Sequence, residues 1–169
     1  QICGKNIRKI KLININMKTI EEINQQSVKK ILAEKKIPEI DGIKGGDKII
    51  KSDDFLKEIP KIISNLKNSY IYIQGPPGTG KTHQAANTII ELLKENKKIG
   101  ITGLSHKVIH NLLQRVEYMA KEKQFNFEGY KRGTLEDEDT VFNGEFIKTY
   151  EKDPVFMDAL KESGVVEIL

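Results

Sequence analysis

Between Tyr70 and Thr82 the chain reads Tyr-Ile-Tyr-Ile-Gln-Gly-Pro-Pro-Gly-Thr-Gly-Lys-Thr, and no other run constrains the fold as much. Its first residues are β-branched or aromatic and alternate, which is a strand pattern. Gly75 to Thr82 then fit the spacing G-x-x-x-x-G-K-[ST], the pattern of a loop that cradles phosphate. Beyond it, Ala85, Ala86, Ile89, Ile90 and Leu93 fall on one face of a helix. Strand, glycine-rich loop and helix in that order give the motif its structural meaning.

Each residue type in the loop has a physical reason. A polyphosphate carries several negative charges, and backbone N–H groups at a helix start can surround it without loss of side-chain entropy. Gly75, Gly78 and Gly80 allow the curled backbone that turns those groups inward. Pro76 and Pro77 pre-set part of the loop, so less order has to be created on binding. Lys81 is placed to reach the β- and γ-phosphates, and the Thr82 hydroxyl to coordinate Mg²⁺. The candidate cofactor-binding set for ATP and Mg²⁺ is therefore Gly75, Pro76, Pro77, Gly78, Thr79, Gly80, Lys81, Thr82 and the adjoining His83. Lys81 and Thr82 are the candidate catalytic residues, and Thr82 is the candidate Mg²⁺ ligand.

At 169 residues the chain can bury a real core. No apolar run approaches membrane-spanning length, and no leader-like segment opens it. The single Cys3 excludes an internal disulfide and points to a reducing, cytoplasmic compartment. The net charge of +4 is compatible with a polyanionic partner but decides little alone. Because the chain opens on Gln1 rather than Met, a piece of a longer protein is expected.

The apolar residues of 1–16 lack a clean period and fit a strand or docked extended segment. Thr19 with Glu22 fits a capping box, and Ile20, Ile23, Ile31 and Leu32 follow helical spacing up to Pro38. Residues 38–48, with Asp41, Gly42, Gly45 and Gly46, read as a loop and hinge, which divides the chain into an arm over 1–47 and a nucleotide domain over 48–169. Asp53 and Asp54 precede a helical stripe from Phe55 to Leu66, in which Pro60 is expected to cause a kink or a restart. Ile99 to Gly103 fits a buried parallel strand. Ser105 then fits an N-cap for a helix carrying Val108, Ile109, Leu112, Leu113, Val116 and Met119 or Ala120. Two βα units in tandem imply an α/β fold with a doubly wound parallel sheet. The pattern fades over 123–150; Lys131 to Thr134 is no buried strand by composition, and Glu136 to Asp139 reads as a solvated acidic loop. Asp153-Pro154 opens a short helix, and Val165 to Leu169 reads as a strand.

The run Ile73 to Thr82 resembles the first motif of superfamily 1 helicases, in the branch that includes the nonsense-mediated-decay helicase and the Okazaki-processing nuclease-helicase. The segment Ile101-Thr102-Gly103-Leu104-Ser105-His106-Lys107-Val108-Ile109-His110-Asn111-Leu112-Leu113 is similar to that branch's motif Ia. Its Ser-His-Lys-Val-Ile form looks most like bacterial fusions of a RecB-like nuclease with a helicase. The resemblance covers about residues 50–118 and implies an incomplete RecA-like, P-loop domain. It also implies that Ser105, His106, Lys107 and Asn111 contact single-stranded DNA or RNA, with His110 as a nearby donor. A hydroxyl and free N–H groups at a helix start are independently suited to a nucleic-acid phosphate.

Departures from the family bound the reading. No apolar strand ending in Asp-Glu appears, and Glu167 has no Asp beside it. The second RecA-like domain with its arginine finger is missing, and Arg115 is expected to face solvent or pair with Glu117 or Glu122. The adenine-reading glutamine is not identifiable, Gln25 and Gln26 being weak candidates. The expectation is the ATP-binding part of a helicase motor that translocates on single strands, itself inactive alone, with a second RecA-like domain and a nuclease domain as partners. Two alternatives stand beside it: a small-molecule or nucleoside kinase, and an AAA-type nucleotide-dependent interaction module.

Overall fold

The structure is a computed structural model that describes residues 8–14, 38–67, 69–151 and 165–167, with backbone alone for the first and last of these stretches. It is mixed α/β. In chain order the elements are β1 (Arg8–Asn14), α1 (Phe55–Ser64), β2 (Ser69–Gly75), α2 (Lys81–Lys94), β3 (Ile99–Ile101), α3 (His106–Glu122), β4 (Gly129–Arg132), β5 (Ile147–Tyr150) and β6 (Val165–Glu167). Two compact units divide the chain, Gln1–Gln84 and Ala85–Leu169. Cys3, Gln25, Gln26, the helix expected after Thr19 and the helix expected after Asp153-Pro154 lie outside the described residues.

In the first unit Asp54 caps α1, its Oδ1 accepting from the Lys57 N–H at 3.3 Å. Glu58 reaches back to accept the Lys51 and Ser52 N–H groups at 2.8 and 3.0 Å. The helix buries Ile59, Pro60, Ile62 and Ile63 and runs unbroken through Pro60, where a kink or restart was expected. Burial of the proline ring offsets the hydrogen bond its missing N–H removes. Segment 38–48 is turn-rich as expected, and it is pinned to the end of this helix. Ile40 bridges Leu66, and the Asp41 and Lys67 N–H groups donate to the Asn65 and Glu39 carbonyls at 2.9 and 3.0 Å.

The extended segment near the N-terminus is β1, and it pairs antiparallel with β2 from Arg8↔Gly75 to Asn14↔Ser69. β2 is thus paired outside the parallel sheet, so among the described residues the expected doubly wound parallel sheet is seen only in part. The reason is visible along β2: Ser69 and Ile71 are buried while Tyr72 and Gln74 are exposed. One-sided alternation suits an antiparallel strand, whereas a strand covered on both faces is apolar throughout.

The parallel sheet belongs to the second unit and has the order β3-β6-β4-β5. The strands expected at 99–103 and 165–169 appear as β3 and β6, paired Ile99↔Val165 to Ile101↔Glu167. β4 lies between β6 and β5. β4 overturns the reading of Lys131 to Thr134, because Tyr130 and Lys131 are both buried within it. Glu136 to Asp139 is exposed as expected and leads into a 3-10 turn, Glu138–Thr140. The core joins Ala86, Ile89, Ile90 and Leu93 of α2 to Ile109, Leu113, Val116, Met119 and Ala120 of α3, closed by Ile101, Phe142 and Ile147. Each such large side chain stabilises by about 1.5–3 kcal/mol. Val108, expected on this face, is 54% exposed instead.

Local geometry ends both long helices in the same way. The Asn96 and Lys97 N–H groups donate to the Leu93 and Leu92 carbonyls, and those of Gln124 and Phe125 to the Lys121 and Ala120 carbonyls. These paired bonds form Schellman motifs. The left-handed residue is Asn96 (φ 57°) in one and Gln124 (φ 50°) in the other, neither of them glycine. Lys123 ties the end of α3 to α2 through Asn87 Oδ1 at 2.7 Å and Glu91 Oε1 at 2.5 Å. Burial pushes the Glu91 carboxyl up, but Lys123 and Lys94 outweigh it and hold it below the ordinary value.

Farther along α3, the buried Glu117 accepts three backbone N–H groups of one loop, from Glu145, Phe146 and Ile147, each at 3.0 Å. That carboxylate fixes the entry into β5. Replacing it by alanine strands the loop donors, at a cost of about 1–3 kcal/mol for each one that water fails to reach. Glu117→Ala is therefore expected to lower unfolding stability by about 3 kcal/mol, against less than about 0.5 for exposed Glu122→Ala. Gln124→Gly is expected to act in the opposite sense, by about 0.5–1 kcal/mol, because glycine takes a left-handed φ without steric cost. Urea denaturation of the three variants measures both effects, and a neutral Glu117→Ala would remove the clamp from the account.

Candidate functional site

Gly75 to Thr82 leave the end of β2 and enter the first turn of α2. The structure therefore places the loop between the strand and helix that the sequence assigns. Pro76 to Gly80 are exposed, Lys81 is half-buried, Thr82 is exposed and His83 half-buried. Gly78 and Gly80 have φ of 83° and 77°, a left-handed backbone that a side chain would strain. At Gly75 the constraint is space: a Cβ there would lie 2.9 Å from Thr79 Oγ1.

Lys81 folds back over this loop. Its Nζ donates to the Gly75 carbonyl at 2.7 Å, the Pro76 carbonyl at 2.5 Å and Thr79 Oγ1 at 3.2 Å. The Thr79 hydroxyl itself donates to the Pro76 carbonyl at 2.9 Å. An ammonium is thus held at the front of a loop that leads into a helix whose first N–H groups have no intrahelical acceptors. Gln84, one turn on, donates through Nε2 to the Phe55 carbonyl at 3.0 Å and anchors the helix start on α1. Helix-start amides, one fixed cation and the exposed hydroxyl of Thr82 are groups that could receive an anion with several oxygens. The donor set fits a polyphosphate, with Lys81 on its oxygens and Thr82 available to a divalent cation.

The second predicted group lies in the other unit, at the start of α3. Ser105 is its N-cap, with extended φ and ψ, and Oγ accepts from the Val108 N–H at 3.4 Å. Ser105, Lys107 and Asn111 are exposed, and Leu104 beside them is completely so. Lys107 and Asn111, four residues apart, share one helix face. All three lie within the cap and first two turns of α3.

The two histidines differ from that picture. His106 is half-buried and meets the ammonium of Lys131 through Nδ1 at 3.2 Å. His110, expected as a donor nearby, has Nε2 enclosed without a hydrogen bond and its ring against Phe142 at 5.5 Å. Burial pushes the His110 imidazole below its ordinary value, with the charge of Lys131 next in weight. Arg115 lies over the Tyr118 ring at 5.0 Å, and Glu117, one of its expected partners, is engaged by the 145–147 backbone. Sequence reasoning missed Lys131, because a lysine in a short strand carries no pattern that distinguishes it from a surface lysine. Among the described residues no cluster of three or more metal-ligating side chains occurs, so a metal at Thr82 would need oxygens from its nucleotide.

No protein-family model matches the chain. No solved structure matches it either. One stretch of 44 residues is 43% identical to the DNA polymerase alpha-associated DNA helicase A of Schizosaccharomyces pombe (strain 972 / ATCC 24843). That stretch is 26% of this chain and only 7% of the helicase. Over this part of its length the chain is related to a DNA helicase.

Proposed function

We propose that this chain is part of the first RecA-like domain of an ATP-dependent superfamily 1 helicase, in the branch its sequence resembles. The loop from Gly75 to Thr82 binds the triphosphate of ATP, and Thr82 completes the coordination of Mg²⁺. The start of α3, through Ser105, Lys107 and Asn111, takes a phosphate of single-stranded DNA or RNA. The acidic pair and the arginine finger of a complete motor come from other parts of the parent protein.

The observation that carries this reading is the Lys81 ammonium folded over a glycine-rich loop at the start of α2. The stretch shared with a DNA helicase supports the helicase class over a kinase or a switch ATPase. Stimulation of ATP hydrolysis by single-stranded polynucleotide, measured on the parent protein, tests the class itself. A kinase would respond to a phosphate acceptor, and a switch ATPase to neither.

Two experiments test the residues. Lys81→Ala removes the one fixed cation of the loop and is expected to weaken binding of a fluorescent ATP analogue with Mg²⁺ by about 10- to 100-fold. Unchanged affinity would take Lys81 out of the site. Ser105→Ala combined with Lys107→Ala is expected to weaken binding of a labelled single-stranded oligonucleotide and to leave the ATP analogue's affinity alone. Loss of one phosphate contact also reduces the slope of log affinity against log salt by about 0.7. A salt slope identical to wild type would exclude Lys107 as a phosphate contact.

A further inference from the structure

Lys131 is fully buried, with 0% exposure, in the middle of β4. Burial of a charge is expensive unless hydrogen bonds replace its water. Here Nζ has the Thr140 carbonyl at 2.6 Å, the Arg132 carbonyl at 2.9 Å and His106 Nδ1 at 3.2 Å. An ammonium has donors and no lone pair, so His106 Nδ1 must be the acceptor in that contact. A neutral imidazole that accepts at Nδ1 carries its proton at Nε2.

From this we infer that Lys131 is a positioning residue for the nucleic-acid site proposed at the start of α3. It orients the His106 ring and locks its tautomer, which leaves Nε2–H as the donor that this ring, on the residue between Ser105 and Lys107, can offer. The opposite tautomer would turn a lone pair toward a phosphate oxygen and repel it. His106 is half-buried, unlike the exposed Lys107, which makes its orientation a property of the fold rather than of solvent. The role rests on reading the start of α3 as a contact for single strands. The geometry it uses is internal to the second unit and does not depend on the glycine-rich loop.

Nitrogen-15 spectra of the histidine rings in the whole chain, with binding of a fluorescein-labelled oligothymidylate, test the inference. Wild type is expected to show His106 unprotonated at Nδ1 and protonated at Nε2. Lys131→Met, close to isosteric and uncharged, is expected to move the His106 ring-nitrogen signals and to weaken oligothymidylate binding by about three- to tenfold, the value of one hydrogen bond. His106→Ala should weaken binding by the same factor, and His106→Gln, which keeps an N–H donor, should stay within about twofold of wild type. A protonated Nδ1 in wild type overturns the inference, as does His106→Ala with undiminished binding. Should Lys131→Met not fold, the wild-type spectrum and the two His106 variants decide the matter. If wild type shows the expected tautomer and binds no oligothymidylate, the nucleic-acid reading fails and the role of Lys131 in it falls too. A wild type that binds with the wrong tautomer sinks the positioning role alone.

Discussion

An α-helix cannot satisfy its own first N–H groups, and what this chain sets against each helix start decides what that start can do. α1 is closed by carboxylates: Asp54 accepts from its first turn, and Glu58 takes the N–H groups just before it. Negative charge already occupies the favourable end of the helix dipole, so an anion would be repelled there. At α3 the cap is the neutral hydroxyl of Ser105, with Lys107 exposed beside it. Before α2 stands a glycine-rich loop with the Lys81 ammonium folded over it. The same backbone constraint thus yields one end closed to anions and two that remain receptive. The residues expected to bind nucleotide and nucleic acid sit at the receptive pair.

Much of this was legible because it is local. Side-chain period placed α2, α3 and most of their buried faces, the capping serine fixed where α3 begins, and the glycine spacing located the loop. Those features depend on neighbours within a few residues. What the sequence left unread depends on distant partners. Whether β2 pairs antiparallel with β1 or joins a parallel sheet is settled by a segment more than fifty residues earlier, whose apolar residues have no clean period. β4 and β5 are four residues each, too short for alternation to stand out from loop composition.

The charged residues inside the second unit show the same division. Nothing in the sequence marks Lys131 or Glu117 as buried, since both types are almost always solvated. Each is tolerated because backbone groups surround it: carbonyls around the ammonium, N–H groups around the carboxylate. Apart from the Arg132 carbonyl in β4 itself, these partners come from residues 140–147, of which 141–146 have no regular structure to consume such groups. An irregular backbone that must be buried needs side chains of the opposite polarity, and these two supply them. The cost is that β5 depends on α3 for its start. Mutation of a helix residue is thereby felt in the sheet.

The two prolines of the glycine-rich loop sharpen its polarity in a way glycines alone would not. Pro76 and Pro77 have no N–H, so the front of the loop offers only acceptors, and the Gly75 and Pro76 carbonyls hold the Lys81 ammonium there. Donors begin at Gly78, where the backbone turns left-handed, and continue into the first turn of α2. Cation and amides are thereby sorted to opposite ends of one short loop. A phosphate would have to draw Lys81 from two neutral carbonyls, and a charged oxygen attracts an ammonium more strongly than a carbonyl dipole does. Several charged oxygens would attract it more strongly than one. The proposed preference for a triphosphate therefore comes from what the loop already does with its lysine.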